Sequence, residues 1–245
     1  MTPHDKPLVA IDAGNTRIKW GLHDGTAWAN KGVLATADAA WLSEAVDEWP
    51  AQARVVICNV AGPAVHERIG KALQGRHAEI VWLHASAQAC GVRNAYERPE
   101  QLGADRWAAL IGARGQAGAA CLVVCAGTAT TVDLLGADGE FRGGLILPGF
   151  DLMRAALARD TAQLPLAEGD YRPLPRNTRD AIFSGCLHAQ AGAIERMFAT
   201  IAGEPGGVCL LTGGGAVRLA PHLNIPLQLT DNLILDGLLR YGNAS

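Results

Sequence analysis

The sequence of 245 residues predicts an α/β protein assembled from two similar halves. Three observations carry that expectation. Apolar runs of strand length alternate with helix-period patterns along the whole chain. Two of these runs end alike: Val9-Ala10-Ile11-Asp12-Ala13-Gly14-Asn15-Thr16 and Val123-Val124-Cys125-Ala126-Gly127-Thr128 both pass from strand into an Ala-Gly-polar turn. That is a faint internal repeat, which two unrelated hairpins could also produce. No Pro- or Gly-rich linker divides the halves, so they are expected to pack together with a cleft between them near Gly115 to Ala119.

In chain order, Leu8 to Ile11 predicts a first strand. After a turn at Ala13 to Thr16, Ile18, Trp20 and Leu22 alternate with Lys19 and Gly21 and predict a second. Ala39 to Trp49 predicts a helix, Arg54 to Asn59 a strand, Ala64 to Leu73 a helix and Glu79 to Leu83 a strand. Gly103 to Arg114 predicts a helix with Trp107, Ala108, Leu110 and Ile111 on one side and Asp105 and Arg106 in its first turn. The second half opens with a buried strand, Ala119 to Ala126, a turn at Gly127-Thr128-Ala129-Thr130 and a further strand, Thr131 to Leu135. Asp180 to Phe198 predicts a long helix and Val208 to Thr212 a strand, with a last helix near the C-terminus.

Composition removes several function classes. Hydrophobic residues make up 49% and charged residues 18%, which suits a packed globular chain rather than a disordered one. A formal net charge of -3 offers no basic stripe, so nucleic acid is not an expected partner. After Met1-Thr2-Pro3-His4-Asp5-Lys6-Pro7 the apolar run Leu8 to Ile11 stops at Asp12, too soon for a signal peptide, so a cytoplasmic location is expected. No stretch approaches the roughly 18 apolar residues of a membrane span, and no membrane is expected as a partner. The six cysteines, Cys58, Cys90, Cys121, Cys125, Cys186 and Cys209, lack CxxC spacing and nearby His pairs. They read as reduced, mainly buried thiols with no metal site.

Chemistry enters at the turns. Gly14 and Gly127 let a ligand approach backbone N–H groups, and Asn15, Thr16, Thr128 and Thr130 add short hydrogen-bonding side chains, so together they suit a phosphate cradle. Asp12 ends the first strand, where it could hold the water shell of Mg²⁺, and Arg17 or Lys19 could add positive charge. Taken in isolation, Asp12-Ala13-Gly14-Asn15 reads first as an ordinary Asx-type hairpin turn. A second constellation is Leu102-Gly103-Ala104-Asp105-Arg106, preceded by Tyr96. There Asp105 could accept a hydroxyl proton, and Arg106 could hold a carboxylate in two hydrogen bonds. The helix N-terminus would favour ionised Asp105. Its plainer alternative is a helix cap with a surface ion pair. Thr212-Gly213-Gly214-Gly215-Ala216 could lay a base or ribose against backbone, or simply join strand to helix. GxxxxGK[ST], GxGxxG, GxSxG and HExxH are all absent from the sequence.

Five of these segments occur in the order seen in one family. Asp12-Ala13-Gly14-Asn15-Thr16, Gly103-Ala104-Asp105-Arg106, Gly127-Thr128-Ala129-Thr130-Thr131, Gly143-Gly144-Leu145-Ile146-Leu147-Pro148-Gly149 and Thr212-Gly213-Gly214-Gly215 make the chain resemble the type III pantothenate kinases over nearly its whole length. The resemblance implies two ribonuclease-H-like domains, the duplicated actin-like ATPase fold, with ATP in an interdomain cleft. The expected domains are 1–116, with the first phosphate loop and the substrate loop, and 117–245, with the second phosphate loop and the adenosine region. It also implies a homodimer with the acid-binding site near the subunit interface. Carried over by position, Asp12, Ala13, Gly14, Asn15, Thr16, Arg17, Ile18 and Lys19 match the first ATP-binding loop and Thr128 the second. Asp105 matches the catalytic proton acceptor, while Tyr96, Gly103, Ala104, Asp105, Arg106 and Thr178 match the pantothenate contacts.

The implied reaction is ATP-dependent phosphorylation of pantothenate, the first step of coenzyme A biosynthesis, with Mg²⁺ accompanying ATP. The family also uses a monovalent cation, K⁺ or NH₄⁺, held partly by an Asp at the position that Cys125 occupies here. A neutral thiol is a poor ligand for either ion, so that site is lost or is supplied by backbone carbonyls and the partner subunit. The strand setting of Cys125 suggests a buried, inert thiol. Two other readings remain open: a nucleotide-binding regulatory protein without the chemistry, and a kinase of the same superfamily for another small hydroxy acid.

Overall fold

Why a run such as Leu8 to Ala13 forms a strand is clear from where it ends up. In the computed structural model, which describes residues 6–76, 79–166 and 168–244, β1 (Leu8–Ala13) is buried along its entire length. The N-terminal residues Met1 to Asp5, which begin the expected leader-free segment, lie outside the described residues. A strand covered on both faces needs no polar alternation, so it reads as a continuous apolar run. The chain divides into two units, one of residues 1–118, 139–141 and 232–245, the other of 119–138 and 142–231.

In unit 1, β1 pairs antiparallel with β2 (Arg17–His23), and β2 in turn with β3 (Trp28–Ala35). A 3-10 turn at Thr36–Trp41 leads into α1 (Leu42–Asp47), so the helix expected from Ala39 begins three residues late. β4 (Arg54–Asn59) lies parallel to β1 on its other side, α2 (Pro63–Leu73) follows, and β5 (Ile80–Trp82) lies parallel to β4. Strand order is β3-β2-β1-β4-β5. On α2, Val65, Ile69 and Leu73 recur at four-residue spacing and are buried against the core formed by Val9, Ile11, Ile18, Val55 and Ile57. A short hairpin of β6 (Gln88–Ala89) and β7 (Val92–Asn94) then precedes α3 (Ala104–Gln116), in which every residue from Arg106 to Ala113 is buried.

Unit 2 repeats the plan. β8 (Cys121–Ala126) pairs antiparallel with β9 (Ala129–Leu135), which neighbours β10 (Glu140–Pro148). The first residues of β10, Glu140 and Phe141, are counted with unit 1 and pair with Arg93 and Asn94 of β7. After α4 (Phe150–Asp160) and α5 (Thr178–Phe198), β11 (Val208–Thr212) returns parallel to β8. The four-residue α6 (Ala216–Leu219) then leads to β12 (Leu227–Leu229), parallel to β11. Within a seven-stranded sheet that β7 and β6 extend, the order β10-β9-β8-β11-β12 reproduces β3-β2-β1-β4-β5, with β8 antiparallel to β9 and parallel to β11, and β11 parallel to β12, as in the first sheet. The repeated Ala-Gly turns therefore occupy equivalent hairpins.

The last helix, α7 (Leu233–Ala244), goes back to unit 1, a return that a single cut between 116 and 117 leaves out. Its cause is a close helix contact. A Cβ on Gly237 of α7 would lie 1.8 Å from the Ala108 carbonyl oxygen, and one on Gly112 of α3 would lie 2.2 Å from that of Leu233. Only glycine lets the two backbones approach this far. Among the described residues no helix is long and apolar enough to cross a membrane.

Candidate active site

The first turn of unit 1 is shaped by its own carbonyls. Gly14 N–H donates to Arg17 O at 3.0 Å, Thr36 N–H donates to Thr16 O at 3.0 Å, and the Thr36 hydroxyl donates to Gly14 O at 2.7 Å. Thr36, which the sequence did not single out, is 8% exposed and pins the turn from below. Asn15, Thr16 and Arg17 are exposed at its tip, while Ala13 and Ile18 are wholly buried. Those two can therefore offer a ligand only main-chain groups.

Asp12 stands directly opposite Lys19 across β1 and β2. The carboxyl is 7% exposed and its pKa rises from 3.8 to about 6. Burial is the largest cause and the charge of Asp105 the second; Lys19 and a hydrogen bond from the Cys58 thiol, 3.5 Å from Oδ1, pull the other way. Cys58, at the end of β4, is itself fully buried, and burial beside Asp12 and Asp105 holds its thiol protonated, so it acts as a donor.

Asp105 lies in the first turn of α3, its Oδ1 accepting from the Arg106 N–H at 2.8 Å. Burial nonetheless raises its pKa, opposed by that N–H and by the Arg106 charge. The position thus combines a helix N-terminus with a more basic carboxylate than a solvated one. Arg106 is no surface ion-pair residue: it is 5% exposed, donates from Nη1 to the Tyr96 hydroxyl at 2.9 Å, and lies against the rings of Tyr96 and Phe141. Phe141 was not legible as a site neighbour, since only the pairing of β10 with β7 brings it there. Gly103 and Ala104 form the entry to the helix, and a Cβ on Gly103 would lie 2.6 Å from Asp105 Oδ1.

In unit 2 the second turn is equally tied. Gly127 N–H donates to Ala129 O at 3.0 Å, and Gly149 N–H donates to Thr128 O at 2.8 Å. The Gly215 N–H donates to Ala126 O at 2.9 Å, which sets the glycine-rich Thr212 to Ala216 turn against the base of this hairpin. Cys125 is partly exposed rather than buried as its apolar strand suggested, alone among the residues of β8. All six cysteines are free thiols. Thr178 is the exposed first residue of α5, beside Asn177, whose side chain caps the helix by accepting from Asp180 N–H at 2.9 Å. It lines a cavity of about 1120 Å³ with Pro148, Met153, Leu157 and Cys186.

Unit 1 thus brings Asp12, Lys19 and Asp105 into electrostatic contact and Tyr96 against Arg106, whereas Thr128 and Thr178 belong to unit 2. Among the described residues no three His, Cys, Asp or Glu side chains gather to cage a metal. A single buried carboxylate at Asp12 fits a divalent cation that arrives with nucleotide phosphates, because Mg²⁺ takes one or two carboxylates and completes its shell with phosphate and water.

The same order of five strands in both sheets, each with a tied Gly turn after its first strand, defines a protein of the duplicated ATPase fold shared by sugar kinases and actin-like proteins. The same fold is seen in MreB5 of Spiroplasma citri bound to ADP, with a TM-score of 0.52 at 9% identity over 96% of this chain and 95% of that one. It is seen too in a Sinorhizobium meliloti protein provisionally named a 2-dehydro-3-deoxygalactonokinase, with a TM-score of 0.59 at 17% identity over 96% of each chain. Within that class, the sequence model of the type III pantothenate kinases matches residues 8–200. A type III pantothenate kinase of Aromatoleum aromaticum is 59% identical over 231 residues, 94% of this chain and 96% of that protein. The chain belongs to the type III pantothenate kinase family.

Proposed function

We propose that the protein transfers the γ-phosphoryl group of ATP to the primary hydroxyl of pantothenate, yielding phosphopantothenate for coenzyme A synthesis. The observation that carries this reading is Asp105, a carboxylate made more basic by burial, held at a helix start beside the Tyr96–Arg106 pair. Asp105 takes the proton from the attacking hydroxyl. Arg106 anchors the pantothenate carboxylate, and Tyr96, whose oxygen already accepts from Arg106, has its phenol proton left to donate to a substrate oxygen. Thr178 supplies a further substrate contact. Asp12 holds the Mg²⁺ that accompanies ATP, where it neutralises phosphate charge; Lys19 and Arg17 add positive charge. Main-chain groups from Ala13 to Lys19, with Thr128, orient the phosphates. Positioning and charge neutralisation do most of the work in such a transfer.

The same resemblance supports a homodimer, and exposed Leu145, Ile146 and Leu152 offer apolar surface for one. A cytoplasmic location follows from the supply of ATP there. With Cys125 in place of a carboxylate, turnover depends less on K⁺ or NH₄⁺ than is usual in the family; an absolute requirement for either ion counts against this.

The test is ADP release with Mg-ATP against a panel of pantothenate, other hydroxy acids and sugars. Release that needs pantothenate is expected. ATP binding without release for any acceptor would favour a regulatory role instead.

A further inference from the structure

The second turn is held from behind by a side chain with neither charge nor access to solvent. Gln190, on α5, is 1% exposed. Thr130 Oγ1 donates to its Oε1 at 2.9 Å, and its Nε2 donates to Pro148 O at 3.0 Å. The Pro148 carbonyl can only accept, so the amide NH₂ must face it and the amide oxygen must face Thr130, whose hydroxyl is then the donor. Both partners flank the turn. Thr130 lies two residues beyond Thr128, and Pro148 precedes Gly149, whose N–H donates to Thr128 O.

Unit 1 solves the same problem with one residue. Thr36 follows β3 as Gly149 follows β10, and each donates its N–H to the turn, to Thr16 O and Thr128 O respectively. Thr36 adds its hydroxyl, bonded to Gly14 O. No side chain can do this at Gly149, where a Cβ would lie 2.1 Å from Gly127 O. The clamp in unit 2 therefore comes from a different element, α5.

The cost of a buried amide makes this assignment specific. Gln190 sits among apolar residues, with Leu187, Ala191 and Ile194 of the same helix in the core cluster. An apolar side chain there would avoid desolvating two polar groups, so the amide is explained by what it holds.

We propose that Gln190 is a positioning residue for nucleotide binding, clamping Thr130 and Pro148 so that the Gly127-Thr128 turn is pre-shaped for phosphate. The proposal rests on the reading that Thr128 contacts ATP. Gln190 touches no substrate; it acts through the turn.

The experiment uses the full chain and four variants, Gln190→Met, Thr130→Val, their double, and Thr128→Val. Calorimetric binding of a non-hydrolysable Mg-ATP analogue is measured beside steady-state constants for ATP and pantothenate. Gln190→Met and Thr130→Val are each expected to weaken analogue binding and raise the KM for ATP about tenfold, with the KM for pantothenate within about twofold of wild type. The double variant should be no worse than about the poorer single, since both delete one clamp. Wild-type analogue binding by Gln190→Met and Thr130→Val, with weak binding by Thr128→Val, overturns the clamp while leaving the turn its role. Additive losses in the double also overturn it. Wild-type binding by Thr128→Val as well removes the assignment of this turn to ATP, and the proposal with it. Should Gln190→Met fail to fold by circular dichroism, Thr130→Val decides, because it removes the same bond from the strand side.

Discussion

Burial makes the setting of Asp12 costly to the fold. Its carboxyl titrates at about 6 in the fold against 3.8 for the ordinary group. Below about pH 4 both folded and unfolded chains carry the proton, and the group contributes nothing. Between about pH 4 and 6 the unfolded chain has lost its proton while the folded one keeps it, so stability falls as pH rises through that window. Above it the full cost remains, on the order of 3 kcal/mol at about 1.4 kcal/mol per pKa unit. Asp12→Asn is therefore expected to raise the melting temperature near neutral pH by at least about 3 °C, a gain that disappears below about pH 4. If Asp12 holds Mg²⁺ as proposed, the same change should abolish most turnover. A melting temperature unchanged or lowered near neutral pH would contradict the buried-charge account. Asp105→Asn should lower turnover by roughly 10²- to 10⁴-fold while leaving Mg-ATP binding nearly intact, read by stopped assays and calorimetry. Both aspartates were legible because carboxylates at strand and helix ends carry recognisable chemistry. Cys58, Thr36, Phe141 and Gln190 were not, since an uncharged side chain gains its role only from the tertiary partner it meets.

At the level of elements, the α3 to α7 contact fixes the helix that carries Asp105. Adding a methyl at Gly112 or Gly237 places it within 2.2 Å of a backbone oxygen, which no rotamer change can relieve. Gly112→Ala and Gly237→Ala should each destabilise the protein by about 1–3 kcal/mol or more in urea unfolding. Gly70, inside α2 with open space around its Cβ position, is the contrasting case. Gly70→Ala should stabilise by about 0.5–1 kcal/mol, and destabilisation there would undermine the distinction. The central strands β1, β4, β8 and β11 were legible from continuous apolar runs. β3 was not, because Trp28–Ala35 is an edge strand, mostly exposed and without clean alternation. β10 was hidden by Gly143-Gly144, which breaks its pattern, and α4 by its short and weakly amphipathic face.

For the molecule as a whole, the faint repeat in sequence becomes a full repeat in topology, with equal strand order and equal turn positions in both units. Sequence could show only the two turns, since the shared order depends on pairings between strands far apart in the chain. Nor could it show that α7 rejoins unit 1 across the 113 residues between Gly118 and Asn232, of which 110 belong to unit 2. The central claim, pantothenate phosphorylation, is tested most directly by phosphorus NMR of the protein incubated with Mg-ATP and pantothenate. The account predicts a phosphomonoester signal split into a triplet by the two protons of a primary carbinol, growing as ATP is converted to ADP. Growth of inorganic phosphate alone, at the same rate with or without pantothenate, would contradict it.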